Sequence, residues 1–192
     1  SFFAIVLGRS NSAALALGLG LVVAAAAMFS GRLMATLFAT ILVVGIAVTP
    51  FLPGALPNPE TETKRLSFLS PSALHRLSIW NTAVRHMKER PLLGIGMNAT
   101  RSLYNDKDRI RREYFTSEPI RKWYNFFEPI PLHVHNGILQ TWLELGIGGA
   151  LMLGAIILSL VKLVRSNFRY QFWTAACLGL LTSAVIIFSL SF

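Results

Sequence analysis

Polar sequence changes to membrane-length apolar sequence within residues 131–164, which read PLHVHNGILQTWLELGIGGALMLGAIILSLVKLV. No charged residue occurs from position 145 to position 161. Because a bilayer requires about 20 apolar residues, the uncharged part of this segment predicts a transmembrane helix. The polar part before it places His133, His135 and Asn136 at the entry of that helix. Membrane helices usually open with aromatic or basic anchors, so groups that exchange protons near neutral pH indicate chemistry at the membrane face.

A simpler interpretation of the same residues stays open. Asn136 can be only the N-cap of the helix, and His135 only an interfacial polar residue.

The composition of the whole chain points to the membrane as well. It is 53% hydrophobic and only 14% charged, and all nine acidic residues lie between Glu60 and Glu144. This pattern predicts an integral membrane protein with one large polar insertion and excludes a basic nucleic-acid binder. The net charge of +9 suits anionic partners, such as the phosphates of membrane lipids or pyrophosphates. Apolar sequence at both ends suggests a piece of a longer membrane protein.

We therefore predict an all-α membrane protein, a bundle of about four transmembrane helices with a large, partly helical loop. The predicted divisions are residues 1–52 with helices at about 12–30 and 33–52, residues 53–134 as the loop with a helix at about 71–90, and residues 135–192 with helices at about 137–164 and 171–190. Gly146, Ala150 and Gly154 recur every fourth residue, which predicts a face for close helix packing.

Short basic turns set the predicted topology. Arg32 lies between the first two spans, and Lys162 and Arg165 lie next to the turn between the last two. Short loops rich in Lys and Arg are usually cytoplasmic, whereas long loops cross largely regardless of charge. The long loop, His135 and Arg9 are then expected together on the opposite side.

The helix at 71–90 is bounded by prolines, which favour a helix start and a helix end respectively. Its apolar positions repeat at helical spacing and form a stripe of Ala73, Leu77, Trp80, Val84 and Met87. Helical geometry places Arg76 beside that stripe and points Arg85, His75 and His86 to water.

Polar side chains on the next helix form the remaining candidate site. Asn136, Gln140 and Glu144 are four residues apart and share a face. Ionisable groups near a lipid boundary usually face the bundle interior and have a function, although Gln140 and Glu144 can also simply hydrate an interfacial turn. His133 and His135 have a spacing found in zinc sites, but three protein ligands are normally needed, so no metal is expected. Nucleotide-binding glycine loops are absent, so no cofactor is expected.

These residues resemble a known family. The pattern His135-Asn136, nine residues and then Gly146 to Gly149 is similar to the signature of bacterial O-antigen ligases and the wider O-antigen ligase and polymerase superfamily. The segment from Arg76 to Trp80, followed by ERPLLGIG at 89–96, resembles the start of the large periplasmic loop in that family. Arg9, in GRSNS, resembles a serine- and arginine-rich corner before a span, with the serine after the arginine here.

The resemblance implies the C-terminal part of a multi-pass enzyme of the bacterial inner membrane with its active face in the periplasm. Such an enzyme moves a glycan from undecaprenyl pyrophosphate to a hydroxyl of lipid A–core, without a metal or a nucleotide. Arg9 and Arg76 would bind the pyrophosphate, since a guanidinium stays charged and donates two hydrogen bonds. His135 would act as base or position the acceptor, with Asn136, Gln140, Glu144 and Trp80 in support.

Two other classes remain. A polymerase of O-antigen or another surface polysaccharide would use the same donor but a lipid-linked glycan as acceptor. A transporter or scaffold would use the cationic loop only to bind anionic lipid; internal inverted repeats and helices broken at the bilayer centre would favour a transporter, and the sequence contains neither signal.

Overall fold

Helices make up the regular structure of the part of the chain that the computed structural model describes, residues 11–51, 55, 71–103, 133–167 and 171–190. In chain order they are α1 (Asn11–Val48), α2 (Pro71–Glu89), a 3-10 helix (Ala99–Leu103), α3 (Gly137–Asn167) and α4 (Gln171–Leu190). No strand occurs within those ranges, so the predicted all-α class is confirmed.

Three of the helices, α1, α3 and α4, are long and apolar enough to cross a membrane. Their outer faces carry many exposed apolar side chains, among them Phe29 at 90% and Leu151 at 68% exposure. Apolar surface of this extent is unfavourable in water and favourable in lipid, and helices satisfy their own backbone hydrogen bonds there. The chain is therefore a membrane protein.

Helix α1 contains both of the first two predicted segments. The sequence predicted separate helices at 12–30 and 33–52, whereas one helical run ends at Val48 and is broken only at Ser30, whose φ and ψ are −153° and 82°. A single non-helical residue thus replaces the expected turn. Each half of α1 is close in length to the roughly 20 residues that a helix needs to cross a bilayer.

The break at Ser30 is capped by the first residue of α4. The side-chain amide of Gln171 donates to the carbonyl oxygens of Ala27 and Met28. Carbonyls in the last turn before a helix break lack their usual partners, and an amide donor restores them. Near the other end of α4, the Ser183 hydroxyl donates to the carbonyl of Ala16 at 2.9 Å. Helix α4 therefore runs antiparallel to the first half of α1.

These helices pack in the first of two compact units, which comprises Ser1–Ile46 and Met152–Phe192. Its core combines buried residues of both halves of α1, the second part of α3, and α4: Ala27, Ala35, Val161, Val164, Ala175 and Leu178. Arg32, Lys162 and Arg165 line one cavity of about 680 Å³, so the two basic turns lie at the same end of this unit.

The second unit, Ala47–Leu151, contains α2 and the start of α3. Its core joins residues of both helices and of the turn before α3: Ile79, Ala83, Val84, Met87, Val134, Leu139 and Leu143. The prediction that His75 points to water is wrong, because this side chain is only 5% exposed. Ser78 and Thr82 are buried on α2 as well, so its buried face is wider than the apolar residues alone indicate. His86 is partly exposed, with Nδ1 lying 3.3 Å from Glu89 Oε2.

Helix α3 is broken at Gly146, whose φ and ψ are 61° and −152°. The sequence predicted that Gly146, Ala150 and Gly154 form a helix-packing face. Instead, Gly146 leaves the helical conformation, and a side chain built at Gly154 would meet nothing within 4 Å. The glycine at 146 therefore permits a backbone conformation that other residues rarely adopt.

The turn that follows α2 pairs with the backbone groups freed by this break. Across residues 90–96 and 143–148 the hydrogen bonds are Ile95 N to Leu143 O at 2.9 Å, Gly96 N to Glu144 O at 2.9 Å, Ile147 N to Pro91 O at 2.9 Å and Gly148 N to Leu92 O at 3.5 Å. In an unbroken helix the N–H groups of 147 and 148 would donate to the carbonyls of 143 and 144. The carbonyls of residues 143 and 144 and the N–H groups of residues 147 and 148 are thus all hydrogen-bonded to residues 91–96. We call this segment the 91–96 turn.

Candidate functional site

His135 lies in the turn immediately before α3, in a backbone conformation that is uncommon for residues other than glycine. Its φ is 55°, in the left-handed region. Asn136 caps the helix: its Oδ1 accepts a hydrogen bond from Leu139 N at 3.0 Å. The capping interpretation of Asn136 is therefore correct. It leaves His135 unexplained, because left-handed conformations cost roughly 1–3 kcal/mol outside glycine and concentrate at functional sites.

The residue before His135 is held on both sides. Val134 is completely buried. Its N–H donates to Gln140 Oε1 at 3.0 Å, and its carbonyl accepts from Trp80 Nε1 at 2.9 Å. One bond comes from α3 and the other from α2, 54 residues earlier in the chain. Together with the Asn136 cap, these bonds fix the backbone on either side of His135.

A polar cluster extends this arrangement to the 3-10 helix. The Gln140 side-chain amide donates to Thr100 Oγ1 at 3.1 Å and to Glu144 Oε1. Glu144 Oε1 also accepts from Asn98 N at 3.1 Å and from Thr100 Oγ1 at 3.4 Å. The same Gln140 therefore holds Val134 through its oxygen and the Thr100–Glu144 pair through its nitrogen. Gln140 and Glu144 do more than hydrate a turn, since they connect three segments of the chain.

Replacing Glu144 with alanine is expected to destabilise the protein, because three donors lose the oxygen that they share. Two of them, the Thr100 hydroxyl and the Gln140 amide, are partly buried, and leaving such donors unsatisfied costs about 1–3 kcal/mol. Glu144→Gln retains an Oε1 acceptor and is the matched control, so its loss should be clearly smaller. Thermal unfolding of the complete protein in detergent measures both. Equal losses for the two variants would show that the oxygen contributes little.

The structure places the remaining predicted site residues as follows. Arg76 lies on α2 one turn before Trp80 and is partly buried. Residues four apart on a helix are neighbours, so Arg76 lies on the same face of α2 as Trp80, whose indole bonds to Val134. Arg85 is exposed as predicted, and its Nη2 donates to Thr82 Oγ1 at 2.9 Å. Arg9 lies outside the described residues.

Two residues of the cluster, Asn98 and Thr100, were not predicted. Asn98 has a φ of 57°, and Asn is among the residue types that tolerate this region. Its position two residues after Gly96 is a turn signal that sequence analysis can detect. Thr100 gives no such signal, because its partners lie 40 and 44 residues away.

A metal would require several ligands to converge. Within the described ranges, no three His, Cys, Asp or Glu side chains come together in a way that could hold an ion. His133, the possible second histidine ligand, is exposed. The groups brought together around His135 are instead amide, hydroxyl, indole and carboxyl groups.

Together these features define a class of protein, a helical membrane protein with a polar site at the mouth of a membrane-spanning helix. Comparison with known proteins gives the family. The model of the O-antigen ligase family matches residues 1–154. The chain belongs to the O-antigen ligase family.

Relatives in Rickettsia are named provisionally as polysaccharide ligases. The protein from Rickettsia conorii is 30% identical over 177 residues, which cover 90% of this chain and 40% of the relative. That from Rickettsia bellii is 30% identical over 170 residues, covering 85% and 39%. A third, from Rickettsia felis, is 32% identical over 138 residues, covering 69% and 31%. The chain thus spans about 40% of the length of the first of these relatives. No solved structure matches it.

Proposed function

We propose that the complete protein transfers a glycan from an undecaprenyl-pyrophosphate carrier to a sugar hydroxyl of lipid A–core. The family and the names of the Rickettsia relatives support a ligase. The observation that carries the proposal is the backbone arrangement at His135, which is held at the mouth of α3 through Val134 and Trp80, with Arg76 one helical turn before Trp80.

In the proposed reaction the acceptor hydroxyl oxygen attacks the anomeric carbon of the carrier-linked sugar. The bond from that carbon to the oxygen of the adjoining phosphate breaks, the carrier leaves as its pyrophosphate, and the configuration is inverted without a covalent enzyme intermediate. His135 accepts the hydroxyl proton as the new bond forms, which requires an imidazole within hydrogen-bonding reach of the acceptor. The left-handed turn and the two bonds to Val134 fix the backbone from which the imidazole projects, so its attachment point is set before substrate binds.

The leaving group gains negative charge as the bond breaks. A guanidinium stabilises that charge because it is planar, always protonated and able to donate two parallel hydrogen bonds. We assign this role to Arg76, with Arg9 as a second pyrophosphate ligand. Fixed positive charge from arginine can replace a divalent cation, so the proposal includes metal independence.

The basic turns indicate how the protein is oriented across the membrane. Arg32, Lys162 and Arg165 share one cavity, and short basic turns are usually cytoplasmic. His135 precedes the first residue of α3, whereas Lys162 and Arg165 lie near its last. We therefore propose that His135 lies at the periplasmic face of the inner membrane, where lipid-linked glycans are transferred in this proposal.

Arg76→Lys is expected to lower the transfer rate by roughly one to two decades even though the charge is kept, since losing a charge-assisted hydrogen bond costs about 1.5–3 kcal/mol. Lysine is a point charge and does not reproduce a planar two-point contact. Arg85→Lys, at an exposed position on the same helix, should leave the rate unchanged. Transfer from a lipid-pyrophosphate glycan to purified lipid A–core is measured with the complete protein in a buffer containing a chelator.

Three outcomes would count against parts of the proposal. Equal rates for the two lysine variants would remove Arg76 from the mechanism. Loss of wild-type activity on chelation would contradict metal independence. Transfer to a second lipid-linked glycan in preference to lipid A–core would identify a polymerase.

A further inference from the structure

The 91–96 turn and the residue after it carry large apolar side chains on their outer surface. Leu92 is 68% exposed, Leu93 is 83% exposed and Met97 is 77% exposed. Single exposed apolar residues are ordinary, but several within one short turn mark an interaction surface. The second unit therefore has an apolar projection that its own core does not cover.

Hydrogen bonds fix the depth of this projection along α3. Ile147 N donates to Pro91 O at 2.9 Å, and Gly148 N donates to Leu92 O at 3.5 Å. Both donors lie beyond Glu144, the last charged residue before an uncharged run that continues to Val161. At about 1.5 Å per residue that run is nearly as long as the roughly 30 Å hydrocarbon core. Leu92 is therefore level with the part of α3 that lies just inside the lipid.

Neighbouring side chains on α3 are consistent with lipid contact at this level. Ile147 and Leu151 are both exposed there. The apolar surface of the turn adjoins that of α3, because the carbonyl of Leu92 accepts a hydrogen bond from Gly148 N.

Non-helical backbone is tolerated at membrane depth only where its polar groups have partners. The break at Gly146 supplies partners for the groups of the 91–96 turn that face α3. Gly94 N donates to Arg90 O at 3.0 Å, and Ile95 N and Gly96 N donate to the carbonyls of residues 143 and 144. Pro91 has no N–H to satisfy. The backbone groups of Pro91, Leu92, Ile95 and Gly96 are thus bonded to α3, while the side chains of Leu92 and Leu93 remain exposed.

We propose that residues 91–97 form a re-entrant segment that inserts Leu92 and Leu93 into the hydrocarbon of the leaflet entered by the N-terminal end of α3. The sequence alone predicts that this segment is part of the large loop at 53–134. The inference rests on depth, exposure and backbone pairing, and it holds whatever reaction the protein catalyses.

Site-directed fluorescence tests the proposal. In the complete protein with its native cysteines replaced by serine, a single cysteine at position 92 or 93 is labelled with bimane. The labelled protein is reconstituted in phosphatidylcholine vesicles free of polyprenyl lipid, with or without bromine on the acyl chains. Fluorescence loss from brominated lipid is expected at 92 and 93, close to that at position 151 on α3. A label at position 85, exposed on α2, should lose little.

Iodide in the aqueous phase provides the complementary measurement. The label at 85 should be quenched by iodide, and those at 92 and 93 should not. Iodide quenching at 92 and 93 without bromine quenching would place the turn in water and overturn the proposal. Protection from both quenchers would mean that protein covers the turn, which also overturns it. Reading two positions separately keeps the test valid if one variant fails to fold.

Discussion

Replacing His135 with alanine is expected to abolish glycan transfer by the complete protein while its abundance in the membrane stays normal. Positioned acid–base groups contribute about 10²–10⁴-fold to a rate, and alanine has no group that can take the acceptor proton. The fold should survive, because the bonds that hold this turn come from Val134, Trp80, Asn136 and Gln140. Lipopolysaccharide ladders in a strain lacking the native gene, with immunoblots of membranes, measure both quantities.

Two variants separate chemistry from backbone geometry. His135→Asn introduces a residue that tolerates the left-handed region, so the turn should be retained while activity is lost. His133→Ala removes the exposed histidine two residues earlier and should leave transfer intact. Near wild-type ladders from His135→Ala would reduce His135 to an interfacial polar residue. Equal losses from His133→Ala and His135→Ala would instead favour a two-histidine metal site.

Two of the helix starts have a local cause that is visible in the sequence. Pro71 begins α2 and Asn136 caps α3, and both residues act within one turn of their own positions. The chain between α2 and α3 was predictable only in part. The proline at 91 explains why α2 ends at Glu89, but not where the following turn docks.

Two predictions from the sequence are wrong because the same residue type occurs in two different structural roles. Glycine within an apolar run is usual in membrane helices that pack closely, so the pattern predicts a packing role for Gly146, whereas Gly146 breaks α3. His75 was placed in water because amphipathic analysis counts only apolar side chains as buried.

The complete polar cluster could not be predicted from local sequence patterns. Gln140 and Glu144 were predicted to share a face, but their partner Thr100 depends on how the 3-10 helix folds back. Contacts across 40 residues follow from tertiary structure, and a single sequence gives no direct signal for them.

Gly94→Ala is expected to prevent normal folding of the complete protein. Gly94 has a φ of 66°, and a side chain there would overlap the carbonyl group of Glu144 and lie 2.5 Å from Leu145 N. The left-handed conformation costs a non-glycine residue about 1–3 kcal/mol, and overpacking adds about 1–3 kcal/mol. The obstacle is backbone, which cannot rotate aside as a side chain can. The turn would have to separate from α3, leaving the carbonyls of residues 143 and 144 without their partners at the membrane boundary.

The same argument applies to Gly146→Ala, because a side chain at 146 would lie 2.6 Å from the carbonyl carbon of Leu92. Gly154→Ala is the matched control on α3, since nothing lies within 4 Å of its added side chain. Size-exclusion profiles and thermal unfolding in detergent should show aggregation or strong destabilisation for the variants at 94 and 146, and a wild-type profile for the variant at 154. If Gly94→Ala were as stable as Gly154→Ala, the turn would not be docked on the break of α3. Asn98 and Thr100, which follow the turn and donate to Glu144, would then have no fixed position. The polar cluster could not support the backbone at His135 in the way described above.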